Sequence, residues 1–142
     1  MTGPKLFTSH WRSPLLADAD ATMIGISRGV PRWHPGFRYR VARPLAPDDA
    51  TWAHEDLGAF EESYRAQLER LGAERILADL GSIAGDRPAI LLCWERDPTD
   101  PETPCHRRYL AEFLEREAGV VVPELAPGDV LQREGVPEPR LF

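Results

Sequence analysis

The chain has 142 residues, of which 42% are hydrophobic and 28% charged. That length and balance exclude wholesale disorder and suffice for one buried core without a disulfide or metal staple. The net charge of −6 excludes a protein coated in basic surface. No apolar run approaches the roughly 18 residues that a membrane span requires.

In chain order, residues 5–11 (KLFTSHW) read as a short strand, followed by a loop over 12–20 closed by Asp18 and Asp20. Residues 22–27 (TMIGIS) form a second strand, halted by Gly29-Val30-Pro31. Residues 32–47, rich in Gly, Pro and Arg, read as an irregular excursion with a short extended piece near 39–42. A connection that long in a compact domain is usually functional or poorly ordered. Asp48 and Asp49 open a helical region in which Leu57, Phe60, Tyr64, Leu68 and Leu71 recur on one face, until Gly72 ends it. Glu61–Arg65 and Arg65–Glu69 are paired one turn apart on its wet side. A second helix, burying Ile76, Leu77 and Leu80, ends near Gly85.

Residues 89–94 (AILLCW) are short and apolar throughout, the pattern of a central strand covered on both faces. After Glu95-Arg96 and an acidic, Pro-rich loop, a helix starts at Thr103, with Thr103 as N-cap and Pro104 at the first helical position. Tyr109, Leu110, Phe113 and Leu114 are its apolar stripe, Arg108–Glu112 and Glu112–Arg116 lace its outer face, and Gly119 stops it. Residues 120–122 read as a last strand, and the Pro-rich tail 123–142 as an extended wrapper. This succession predicts a single α/β domain over 1–142 (core about 5–125), with a largely parallel central sheet flanked by helices.

Charge is unevenly spread. From Ala21 to Pro47 there is no Asp or Glu, while Arg28, Arg32, Arg38, Arg40 and Arg43 are interleaved with Trp33, His34, Phe37 and Tyr39. Guanidinium planes beside aromatic rings suit phosphate, carboxylate or base-stacking contacts. The plainer reading is that these arginines pair with the acidic remainder of the chain. Arginine supplies sixteen of the seventeen basic residues, so the absence of acids is the better signal than the choice of Arg over Lys.

Cys105-His106-Arg107 is the sharpest local feature. The second position of a helix lies among unpaired backbone N–H groups, which favour an anion, so a thiol there ionises more readily than a free one. Functionally, Cys105 reads as a thiolate nucleophile, or the triplet as an anion cradle with Arg107 supplying charge. The plain alternative is a half-buried cysteine with two solvated basic neighbours. Six residues after Cys105 stands Ala111, and five after it Leu110, so the phosphatase and rhodanese loop spacings, which need arginine there, are not met. Cys93 reads as core. Cys93, Cys105 and His106 would leave a fourth metal ligand unspecified, and no metal is expected. Glu95, at the mouth of the central strand, reads either as a general base or as a partner for Arg28, Arg96 or Arg107. His10 and His34 read as surface histidines. No P-loop, GxGxxG, HExxH or GxSxG is present, and no cofactor is expected.

In parallel sheets ligands sit outside the carboxyl ends of strands. That rule brings Ser27 and Arg28 toward Glu95 and Arg96, and both toward the helix beginning at Thr103. The strand ILLCWE followed by CHR opening a helix, together with Ser27-Arg28-Gly29-Val30-Pro31-Arg32-Trp33, resembles the DUF488 family, a domain of unknown function, over about residues 5–125. The resemblance implies that Ser27, Arg28, Glu95, Cys105, His106 and Arg107 belong to one site, and it supplies no reaction.

Two functional readings stand against each other. The first is binding of an anionic small molecule, phosphate-containing or nucleotide-like, with Arg28, Arg32, Trp33 and Arg107 as contacts and Cys105, His106 and Glu95 as catalytic groups. The second is a non-catalytic nucleic-acid module using the Arg/aromatic segment 28–43, which the overall negative charge disfavours. A structural scaffold is the third and blandest. With only Cys93 and Cys105 as thiols and no apolar leader in MTGPKLFTSHWRSP, a reducing cytoplasm is the expected compartment.

Overall fold

The computed structural model describes residues 4–96 and 106–129. Four strands, β1 (Leu6–His10), β2 (Thr22–Gly25), β3 (Tyr39–Val41) and β4 (Ala89–Cys93), form one sheet in the order β1-β4-β2-β3. All three pairings are parallel. The all-apolar β4 is a central strand, paired on both edges, and is buried along its whole length, as its sequence requires.

Alternation along the strands divides the interior in two. Leu6, Ile24, Leu91 and Cys93 face a core with residues of α2 (Leu57–Leu71), α3 (Ala73–Ala84) and α4 (His106–Ala118). Phe7, Met23, Ile90 and Leu92 face a second core closed by Trp11, Leu16 and Leu125. The helices therefore cover one face, and the 12–20 loop and the segment around Leu125 cover the other. Gly25 sits where Trp11 crosses the sheet: a Cβ there would lie 2.6 Å from the indole.

The helical region after Asp48 is broken in two. A short helix, α1 (Asp49–Trp52), is capped by the Asp48 carboxylate on the Thr51 amide, and Asp56 then caps a fresh start at Leu57 through the Ala59 amide. Buried Gln67 ties the preceding loop down, donating to Pro44 and Ala46 carbonyls and accepting from the Asp48 amide. Tyr64 donates its hydroxyl proton to the Leu45 carbonyl at 2.7 Å. Arg65 joins Glu61 and also reaches Glu112 on α4. Arg108, expected to lace α4 to Glu112, instead turns inward to Thr8 and the Val122 carbonyl.

The strand expected at 120–122 is absent from the sheet. Gly119, at φ 69°, donates to the Glu115 carbonyl, and Val120 donates to that of Leu114. The Gly119 bond is the 5→1 bond of an αL cap, and the Val120 bond uses the amide a strand would need. The chain joins β1 only beyond Pro123, in a parallel bridge between Thr8 and Glu124. Among the described residues no helix is long and apolar enough to cross a membrane. Thr103, Pro104 and residues 130–142 lie outside the described residues.

Candidate functional site

The carboxyl ends of β1, β2 and β4 open toward the start of α4. Along β4 and its extension, period-two alternation sets Cys93 and Glu95 on the helix-covered face and Trp94 on the other. His106 and Arg107 open α4, and both are buried. His106 meets the end of β2: its Nε2 lies 2.7 Å from the Ile26 carbonyl oxygen. A carbonyl only accepts, so Nε2 carries the proton and Nδ1 keeps the lone pair. The ring also stands edge-on to Tyr64, with centroids 5.4 Å apart.

Arg107 is fully buried. Its Nε and Nη2 donate to the two oxygens of Glu124 at 3.0 and 2.7 Å. Its Nη1 donates to Cys93 Sγ at 3.0 Å and to the Glu95 carbonyl oxygen. Glu124 also accepts from the Thr8 hydroxyl at 2.6 Å. A planar fork matched by a carboxylate is the arrangement that makes a buried guanidinium tolerable. Beside it, Sγ of Cys93, a carboxylate oxygen of Glu95 and a ring nitrogen of His106 lie within 4.8 Å of one another. Glu95 Oε2 is buried and has no hydrogen-bond partner among the described residues.

Burial holds the His106 imidazole below its ordinary pKa, and the charge of Arg107 adds to the effect. The Glu95 carboxylate and the Ile26 carbonyl pull the other way. The net direction keeps the ring neutral at pH 7. His10, at the end of β1, is also lowered, first by burial and then by the charges of Arg107 and Arg96.

The sequence-derived residues divide accordingly. Glu95, His106 and Arg107 do converge. Arg107 is engaged by protein acceptors rather than facing an open pocket. Ser27 lies on the opposite face, accepting from the Trp11 indole at 2.9 Å and donating to the Gly29 carbonyl at 2.6 Å. Arg28 turns away from Glu95, donating to the Pro47 carbonyl and to Asp49 and lying over the Trp52 ring. Arg32 and Trp33 are exposed. Cys105 lies outside the described residues, and so does any distance from it to Glu95. Cys93 and Glu124 are the members the sequence reading missed. For Cys93 a signal existed: it stands two residues before Glu95 on one strand, hence on the same face.

A second wall borders this edge. Trp94 donates its indole proton to the Gly29 carbonyl at 3.0 Å and lies 5.8 Å from Trp33, centroid to centroid. Arg12 stacks over Trp33 at 4.5 Å. Trp33 and Trp94 are 45% and 37% exposed, unusual for the largest apolar side chains. On the other side of Gly29 is a cleft of about 680 Å³ lined by Ser27, Arg28, Tyr39, Arg43 and Asp49, among others. All five arginines of the acid-free segment are exposed. Among the described residues only Arg28 of the five is ion-paired, and its partner Asp49 is 97% exposed.

The family model described as "Domain of unknown function DUF488" matches residues 28–114, more than half of the chain. No curated protein and no solved structure matches the chain.

Proposed function

The chain belongs to the DUF488 family, a domain of unknown function, and from that premise we propose that it binds a phosphate-bearing, nucleotide-like small molecule at the carboxyl edge of the sheet. The observation that carries the reading is the set of exposed arginines, of which only Arg28 is ion-paired among the described residues, beside an exposed tryptophan pair. Trp33 and Trp94 offer a face for a heterocyclic ring. Arg28 and Arg43, in the adjoining cleft, offer donors for phosphate. The Arg28–Asp49 pair is too exposed to hold Arg28 back, because exposed pairs are worth little. Of the two arginines expected to hold the anion, Arg28 keeps that role in this reading, while Arg107 is buried against Glu124. Cys105, next to His106 in the chain, remains the nucleophile that the sequence offers. A reducing cytoplasm is the compartment this reading takes.

Tryptophan fluorescence, titrated with ADP, adenosine, inorganic phosphate and a single-stranded oligonucleotide, tests the reading. Saturable quenching by ADP is expected, with adenosine and phosphate each weaker. Arg28→Ala should weaken ADP about tenfold, the loss of one charge-assisted hydrogen bond. No saturation by ADP up to millimolar concentration would overturn the reading. The exposed Arg/Trp surface also favours a second reading, single-strand nucleic-acid binding. Tight oligonucleotide binding that falls steeply with salt, without ADP binding, would select it.

A further inference from the structure

We propose that Cys93, Glu95 and His106 form a binding site for one divalent transition-metal ion of the zinc class. The inference is independent of the nucleotide reading and differs from the trio weighed on sequence by having Glu95 in place of Cys105.

Three kinds of donor meet here, sulfur, oxygen and nitrogen, all within 4.8 Å of one another. Zinc bond lengths of about 2.0–2.3 Å put tetrahedral ligands ~3.5 Å apart, so small side-chain rotations would close the set on an ion. Each donor is prepared for the task. The Ile26 carbonyl fixes the His106 tautomer by accepting from Nε2, leaving the Nδ1 lone pair to bind. A guanidinium gives hydrogens and takes none, so Cys93 Sγ is the acceptor in its contact with Arg107. That is the polarity that favours a thiolate, the form metals bind. Glu95 Oε2 is buried without a hydrogen-bond partner among the described residues. An orphaned carboxylate oxygen is costly unless something satisfies it, and a cation does so.

The charges suit a cation. Glu124 meets Arg107 through two hydrogen bonds. Cys93, bound as a thiolate, and Glu95, bound as a carboxylate, would bring two negative charges to a divalent ion. Mixed thiolate, imidazole and carboxylate donors suit zinc or cobalt and are unlike the all-oxygen sets of magnesium and calcium. The described residues supply three ligands, and zinc takes a fourth.

The test is cobalt loading of the intact protein after removal of metals with a chelator. One equivalent of Co²⁺ is expected, with a sulfur-to-cobalt charge-transfer band and intense visible bands of four-coordinate geometry. Cys105→Ser should keep the charge-transfer band and Cys93→Ser should abolish it. Because Cys93 is buried and its variant could misfold, Glu95→Gln provides a second arm at a half-exposed position. It should retain the native circular dichroism and bind Co²⁺ at least about tenfold more weakly, as even outer-shell substitutions do. Failure of the wild-type protein to bind an equivalent of Co²⁺, or loss of the band in Cys105→Ser alone, would overturn the proposal. ADP titration of the chelated protein, run in parallel, reports separately on the nucleotide reading.

Discussion

Glu124→Ala is the most informative single perturbation of the fold around the site. It removes both acceptors of the Arg107 fork, at 3.0 and 2.7 Å, and the acceptor of the Thr8 hydroxyl at 2.6 Å. Arg107 would lose this carboxylate and keep its contacts to the Cys93 sulfur and to the Glu95 carbonyl. Breaking a buried pair from one side costs about 3–5 kcal/mol. The Glu124 side chain is 30% exposed, so water reaches part of the vacated space and the lower end, about 3 kcal/mol, is expected. At about 4 °C per kcal/mol for a chain of this size, the melting midpoint should fall ~12 °C. The double variant Arg107→Met with Glu124→Leu should recover more than half of that. It removes the guanidinium together with the carboxylate and leaves the Glu95 carbonyl short of one donor, at roughly 1 kcal/mol. Urea unfolding followed by circular dichroism in the presence of chelator measures all three proteins. A loss below about 0.5 kcal/mol in Glu124→Ala, the scale of an exposed pair, would refute the reasoning.

Other expectations follow from single contacts. Gly25→Ala would place a Cβ 2.6 Å from the Trp11 indole. Overpacking of this kind costs about 1–3 kcal/mol, visible as a lower melting point and an altered near-ultraviolet dichroism. Tyr64→Phe removes the donor to the buried Leu45 carbonyl and should cost about 1–2 kcal/mol in urea unfolding. The Asp48 carboxyl is held below its ordinary pKa of 3.8, first by the Thr51 amide. Its contribution is therefore present above pH ~3.9 and is lost as pH falls through the lower folded value. Asp48→Asn should keep the cap and flatten that acid limb, whereas Asp48→Ala should also lose about 1 kcal/mol at pH 7. Because Cys93 is buried, alkylation of the native protein reports on Cys105. A rate that rises with a midpoint well below the free value of about 8.5 is expected, and a midpoint at the free value would remove its role as nucleophile.

Much of the frame was legible because local signals agree with it. The apolar run of β4 could only be a central strand, and the spacing of Phe60, Tyr64 and Leu68 placed the buried face of α2. The short extended piece near 39–42 is β3. The losses have physical causes. Val120 looked like the start of a strand, but its amide is spent on capping α4. The break before α2 depends on Asp56 acting as a second N-cap, which a hydrophobic period cannot show. In the site, Glu95, His106 and Arg107 converge because strand ends and a helix start share one edge of a parallel sheet. The state of Arg107 was not legible. A buried arginine needs a tertiary partner, and its partner Glu124 comes from the segment read as an extended wrapper. Cys93 was assigned to the core by its apolar neighbours, and it is buried; its contact with Arg107 follows only from three-dimensional placement.

The central claim is that the carboxyl edge of the sheet, at the Ser27–Gly29 turn and the Trp33–Trp94 pair, is where this protein meets its ligand. Backbone and indole ¹H–¹⁵N chemical shifts, recorded during titration with ADP, test it most directly. The largest changes are expected at Arg28, Gly29 and the indole groups of Trp33 and Trp94. Changes centred instead on the cleft of about 330 Å³ between β3 and α3, lined by Val41, Leu45, Ile76 and Ile83, or no changes at all, would contradict it.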